Sequence, residues 1–103
     1  MSVFVEVVGR GPNLTLLHGW GLNGAVWNGV RDALAQRYTL HIVDLPGHGL
    51  SSDAATATIT EMADAVAEAM PPRSHLLGWS LGGLVAQDLA RRYAERIDRK
   101  SVV

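Results

Sequence analysis

The chain has 103 residues, 48% hydrophobic and 18% charged, with a formal net charge of −1, the profile of one small folded unit rather than a disordered tail. Its nine lysines and arginines are scattered apart from a few near the C-terminus, so no basic stripe is available to neutralise phosphates, and nucleic acid is excluded as a partner. Cysteine is absent, which removes disulfides, thiolate metal sites and cysteine nucleophiles and fits a reducing compartment, so a cytoplasmic location is expected.

The opening residues, MSVFVE, lack a basic n-region and a long apolar h-region. No run reaches the roughly 18 apolar residues of a membrane span, so a protein that is neither exported nor embedded in a membrane is expected. Residues 3–8, VFVEVV, read as a first strand and 14–18, LTLLH, as a second. Val26, Trp27, Val30, Ala33 and Leu34 then fall on one helical face, opposite Asn28, Arg31, Asp32 and Gln36, which predicts a covering helix. Residues 38–44, YTLHIVD, read as a third strand.

A small-residue loop is expected over 54–60, leading into a second helix at Thr58-Ile59-Thr60-Glu61, a capping-box spacing. Ile59, Met62, Ala63, Val66 and Met70 form its apolar stripe, and Pro71-Pro72 ends it. A fourth strand follows at 75–79, HLLGW. The third helix is predicted over 81–93, burying Leu81, Leu84, Val85, Leu89 and Tyr93 and exposing Gln87, Asp88, Arg91 and Arg92. From Ile97 onward a further strand opens. Two strands are nearly continuous apolar runs, as in a parallel sheet covered on both faces, and strand-helix alternation with right-handed crossovers predicts a doubly wound α/β sheet. In such sheets chemistry collects at the carboxyl ends of the strands.

Three unusual stretches lie at those ends. Gly78-Trp79-Ser80-Leu81-Gly82 matches G-x-S-x-G where a strand pattern gives way to a helix pattern, the context that makes the motif a nucleophile elbow. A turn this tight strains the serine backbone, and glycine at 78 and 82 removes side chains that would collide. The Leu81 amide and the positive end of the helix then point toward charge developing near Ser80 Oγ. The second stretch, Leu16-Leu17-His18-Gly19-Trp20-Gly21, offers Trp20 as the other oxyanion amide, with His18 read as a structural histidine that orders the loop. The third, Asp44-Leu45-Pro46-Gly47-His48-Gly49-Leu50-Ser51-Ser52, makes a compact turn in which Asp44 and His48 read as architecture.

With "LLHGWG", "VDLPGHGLS" and "LLGWSLGGLVA" in this order and spacing, nearly the whole chain resembles the α/β-hydrolase family. The resemblance implies the N-terminal part of that fold, a mostly parallel sheet with helices on both faces. It also implies a partial core domain over residues 1–103 that lacks the lid, acid and histidine segments. Within the family, HGWGLN, VWN, DLPGHG and GWSLGG are most similar to carboxylesterases of biotin synthesis. That likeness implies Ser80 as nucleophile, Leu81 and Trp20 as oxyanion and substrate-binding groups, and an acyl-serine intermediate. The implied substrate is a small ester or one linked to an acyl carrier protein. No metal or organic cofactor is implied, since a serine activated by a histidine needs none. Two other readings stay open: a hydrolase of small esters, lactones or thioesters, and a non-catalytic remnant.

The family's order is serine, acid, histidine, yet His18, His41, His48 and His75 all precede Ser80, and only Asp88, Glu95 and Asp98 follow it among acids. Asp88 and Glu95 read as a solvated helix face. His75 lies five residues before Ser80 along a strand, about 15 Å away at about 3.3 Å per residue, too far to serve as its base. A fragment is therefore expected, inactive by itself, with the edge of the Ser80 strand left bare.

Overall fold

The computed structural model describes residues 3–51 and 58–102. Five strands form one sheet in the order β1-β3-β2-β4-β5: β1 (Val5–Gly9), β2 (Asn13–Leu17), β3 (Thr39–Val43), β4 (Ser74–Gly78) and β5 (Ile97–Val102). The helices are α1 (Asn28–Ala35), α2 (Ile59–Ala69) and α3 (Leu81–Arg92), with short 3₁₀ turns at Gly24–Trp27, Gly49–Ser51 and Ala94–Arg96. β2 pairs in parallel with β3 and β4, and β4 in parallel with β5. Only β1 runs antiparallel, against β3. Gly9 and Gly11, both at positive φ, let the chain turn where a Cβ would overlap the carbonyls of Tyr38 and Arg37.

The apolar alternation of the central strands feeds two cores. Leu17, Val43, Leu45 and Leu76 pack against Met62, Ala63 and Val66 of α2 and Val85, Ala86 and Leu89 of α3. On the opposite face Leu14, Leu16, Leu40 and Ile42 pack against Trp27, with Leu34 and Tyr38 at the margin. Strand β2, buried from Leu14 through Leu17, is sandwiched between the two, as a parallel strand covered on both sides must be.

Several expectations are corrected. The first covering helix begins as a 3₁₀ turn, and of its predicted apolar stripe only Trp27 is buried; Val26 and Val30 are exposed, Leu34 is half-buried and Ala33 faces out. The stripe is wider than the strip of sheet it meets. In α3 the predicted burial is inverted at two positions. Leu84 is 54% exposed and Asp88 8%, because α2 lies along the flank that carries Asp88, and α3's own Arg92 bridges Asp88 to Asp64 of α2. The Ser80 strand is not the bare edge either: β5 pairs along β4 with a register shift between Ser74 and Leu76, so β5 is the edge. The loop expected over 54–60 lies outside the described residues up to position 57. Thr58 caps α2 as its spacing implies, accepting from the Glu61 amide at 3.0 Å while its hydroxyl donates to the Glu61 carboxylate at 3.1 Å.

Candidate active site

Ser80 sits between the last residue of β4 and the first of α3, with φ 57 and ψ −117. It is the only non-glycine residue at positive φ among the described residues. L-residues avoid this region, and one held there costs about 1–3 kcal/mol unless its surroundings over-determine it. The surroundings do so here. A Cβ on Gly78 would overlap the Gly82 carbonyl, and one on Gly82 would overlap the Leu17 carbonyl. Strand and helix thus approach backbone to backbone on either side of the serine. The Trp79 amide donates to Leu17 O at 3.0 Å, and the Gly82 amide is shared between His18 O and Trp79 O, each at 3.0 Å. Ser80 is lifted onto the exposed surface while its carbonyl accepts from the Gly83 and Leu84 amides.

Beside it runs the loop after β2. A Cβ on Gly19 would come 3.3 Å from Ser80 Cβ, so glycine at 19 lets this loop lie against the serine. The Leu22 amide donates to Gly19 O at 3.2 Å, and Gly21 has φ +76, the pattern of a type II turn with Trp20 and Gly21 at its centre. In such a turn the N–H of the first central residue is not consumed. Among the described residues neither the Trp20 amide nor the Leu81 amide has a hydrogen-bond acceptor. The Trp20 ring is 72% exposed.

His18 is fully buried. Its Nδ1 donates to Gly19 O at 2.8 Å, and its Nε2 accepts from the Leu45 amide at 2.9 Å. Those two bonds fix a neutral tautomer, since a proton on Nε2 would face another N–H. Burial pushes its pKa below the usual imidazole value, outweighing the Gly19 carbonyl. The ring therefore ties two loops together and has no nitrogen left to take a proton from Ser80.

Asp44 reaches beyond its own turn: Oδ1 accepts from the Gly24 amide at 2.7 Å and Oδ2 from the Leu50 amide at 2.9 Å. The sequence places Asp44 within its turn but gives no signal for the Gly24 partner. His48 Nδ1 donates to Pro46 O at 3.0 Å. Its ring stands 5.1 Å from that of His18 and 5.2 Å from that of Trp20, edge-on to the indole. His41 bonds the Asn13 side chain, and His75, level with Leu14 in the sheet, packs its ring against Tyr38. Asp88 is engaged by Arg91 and Arg92, and Asp98 by Arg73. Two surface concavities of about 350 and 430 Å³ lie elsewhere, and Ser80 lines neither.

A strand-serine-helix junction of this geometry on a mostly parallel sheet defines an α/β hydrolase, and residues 16–103 match the alpha/beta hydrolase family. The chain belongs to that family. It is 56% identical over 99 residues to a pimeloyl-[acyl-carrier protein] methyl ester esterase of Aeromonas hydrophila, covering 94% of this chain and 39% of that relative. It is 45% identical over 102 residues to one of Nitrosomonas europaea, covering 99% of this chain and 40% of the relative. The chain thus spans about two fifths of the length of the curated relatives it matches. Among solved structures, an N-acyl homoserine lactone degrading enzyme superposes with a TM-score of 0.88 at 29% identity, covering 98% of this chain and 41% of that one. A hydrolase from Pseudomonas aeruginosa superposes with a TM-score of 0.86 at 28% identity, covering 95% and 40%. Among the described residues no helix is long and apolar enough to cross a membrane.

Proposed function

We propose that this chain carries the nucleophile and oxyanion half of a serine carboxylesterase acting on a pimeloyl methyl ester linked to an acyl carrier protein, in biotin synthesis. The observation that carries the reaction type is Ser80, exposed at φ 57 on a turn that glycines at 78 and 82 alone permit. The substrate class rests on the names of the relatives at 56% and 45% identity.

In this reading Ser80 Oγ attacks the ester carbonyl carbon, and its proton passes to a histidine lying outside these 103 residues. The carbonyl oxygen becomes an alkoxide that accepts hydrogen bonds from the Leu81 and Trp20 amides, both without an acceptor among the described residues. Collapse expels methoxide, which takes the proton from the histidine and leaves as methanol. Water, deprotonated by the same base, attacks the acyl-serine and releases the free carboxylate and Ser80. The strain at Ser80 keeps its oxygen forward of the backbone, so the attack geometry is set before substrate arrives.

A second reading, hydrolysis of a lactone, is favoured by the resemblance to the lactone-degrading enzyme. Both use the same serine and amides and differ in what leaves. The test is fluorophosphonate labelling and ester hydrolysis by the protein expressed from its complete reading frame. Labelling at Ser80 is expected, with hydrolysis lost in Ser80→Ala by about three orders of magnitude or more. Unlabelled Ser80 with hydrolysis intact in Ser80→Ala overturns the proposal. Faster turnover of a homoserine lactone than of a carrier-linked methyl ester selects the second reading.

A further inference from the structure

Trp20 presents a difficulty for the proposed oxyanion site. Its amide has to stay aimed at one point, yet its indole is 72% exposed and its neighbour Gly21 is at φ +76. A turn with a glycine at its centre and a bare side chain at its tip has little to stop it from flexing. The ring of His48 supplies the missing constraint. It is 8% exposed and cannot turn freely, because its Nδ1–H is tied to Pro46 O at 3.0 Å. Its own backbone is fixed by the bonds from the His48 amide to Leu45 O and from the Ser51 amide to His48 O. The ring centroid lies 5.1 Å from that of His18, which is locked by its two hydrogen bonds, and 5.2 Å from that of the indole, with the two planes nearly perpendicular. An edge-to-face pair at this spacing is within the favourable range for aromatic rings.

We infer that His48 is a positioning residue: its ring, itself in contact with the His18 ring, bears on the Trp20 indole and thereby holds the Trp20 amide toward Ser80. This inference rests on the reading of Ser80 and Trp20 given above and adds to it the group that fixes the donor's direction. It explains why a loop after β3, which contributes no group at Ser80 itself, is bonded so tightly to the loop after β2. Leu45 N–H to His18, Gly24 N–H to Asp44 and the ring stack all join the same two loops. The side chain acts through its shape and ring edge rather than through a proton. His48→Phe therefore keeps the clamp and His48→Ala removes it.

The experiment is a double-substitution cycle in the protein expressed from its complete reading frame, with a short aryl ester as substrate. His48→Ala is expected to lower kcat by about three- to tenfold, the rate equivalent of one aromatic pair, with KM within about twofold. His48→Phe is expected to restore most of kcat. In a Trp20→Ala background, which keeps the amide but has no ring to clamp, His48→Ala is expected to cost nothing further. The 5-fluorotryptophan NMR resonance of Trp20 should move in His48→Ala and stay in place in His48→Phe. An equal kcat loss from His48→Ala with and without the Trp20 ring overturns the inference, as does an unmoved Trp20 resonance. Ser80→Ala run alongside keeps the two claims apart. If it abolishes turnover while the cycle shows no coupling, the clamp fails and the esterase reading stands; if it leaves turnover intact, the esterase reading itself fails.

Discussion

At Ser80 the backbone is held at φ 57, ψ −117 by glycine contacts on both sides, so the side chain is a burden on stability. Ser80→Gly removes the Cβ that makes this conformation costly while adding freedom to the unfolded chain, a net gain of about 1 kcal/mol. Ser80→Ala keeps the Cβ and is expected to gain nothing. Denaturant midpoints of the two variants check the difference, and equal midpoints mean that the serine is not strained. His18 makes a second residue-scale prediction, in pH. Its folded pKa lies below the unfolded value of 6.5 because burial disfavours the imidazolium. Below pH 6.5 the unfolded chain binds the extra proton, so the His18 contribution is complete above 6.5 and declines as the pH falls toward the folded pKa. The gap in unfolding free energy between the wild type and His18→Gln should therefore narrow as the pH falls below 6.5, as equilibrium denaturation at each pH will record. A constant gap refutes the assignment of a buried neutral ring.

Between elements, the least expected feature is the seam joining α2 to α3. Arg92 donates from Nη2 to Asp64 Oδ1 and from Nε to Asp88 Oδ2, each at 2.8 Å, and reaches Thr60 O at 3.1 Å. The Tyr93 hydroxyl donates to the same Asp64 oxygen at 2.7 Å. Three residues further, Arg96 donates to Ala67 O and Pro71 O, where α2 ends. The Tyr93 hydroxyl and then Arg92 hold the Asp64 carboxyl below the usual 3.8, and Arg92 and Arg91 do the same for Asp88. Groups with depressed pKa values stabilise fully above the unfolded value and lose that contribution as the pH falls through the folded one. Arg92→Met is thus expected to lower Tm at neutral pH, and the gap to the wild type should close in acid below 3.8. A gap independent of pH would mean that only the packing of the arginine stem matters. The helix pattern in the sequence could not reveal this seam. It places Asp88 among Gln87, Arg91 and Arg92 as a polar face, and only the neighbouring helix covers Asp88 while Gln87, Arg91 and Leu84 stay exposed. The strands were far more legible, because runs such as Leu14–Leu17 and Leu40–Val43, broken only by Thr15 and His41, are nearly continuously apolar whichever partner they take. The antiparallel direction of β1 and the β1-β3-β2-β4-β5 order depend on long-range pairing and have no local signature.

For the molecule as a whole, the strained turn at Ser80 was readable because its pattern is local: glycine, serine and glycine within five residues, between a strand and a helix. The ties between the loops after β2 and β3 were not, since Asp44 to Gly24, 20 residues apart, and His48 to Trp20, further apart still, have no pattern linking them. Those ties decide what the four histidines do. His18 has both ring nitrogens bonded, His48 is wedged between two rings, His41 is bonded to Asn13, and His75 stands at the far end of β4 beside Tyr38. None is placed to accept the Ser80 proton. Without a general base a serine ester hydrolase loses about two to four orders of magnitude in rate, while donors aimed at the oxyanion retain part of the acceleration. The 103-residue chain expressed by itself is therefore expected to hydrolyse an aryl ester at least about a hundredfold more slowly than the full-length Aeromonas hydrophila relative of which it spans 39%. Its residual rate should lack the inflection near neutral pH that a catalytic imidazole imposes. Steady-state rates across pH, with Ser80→Ala as the blank, make the comparison. Enzyme-like turnover that vanishes in Ser80→Ala would mean that one of these four rings leaves its bonds to serve the serine, and the fixed tautomer assigned to His18 would be the first element of this account to fall.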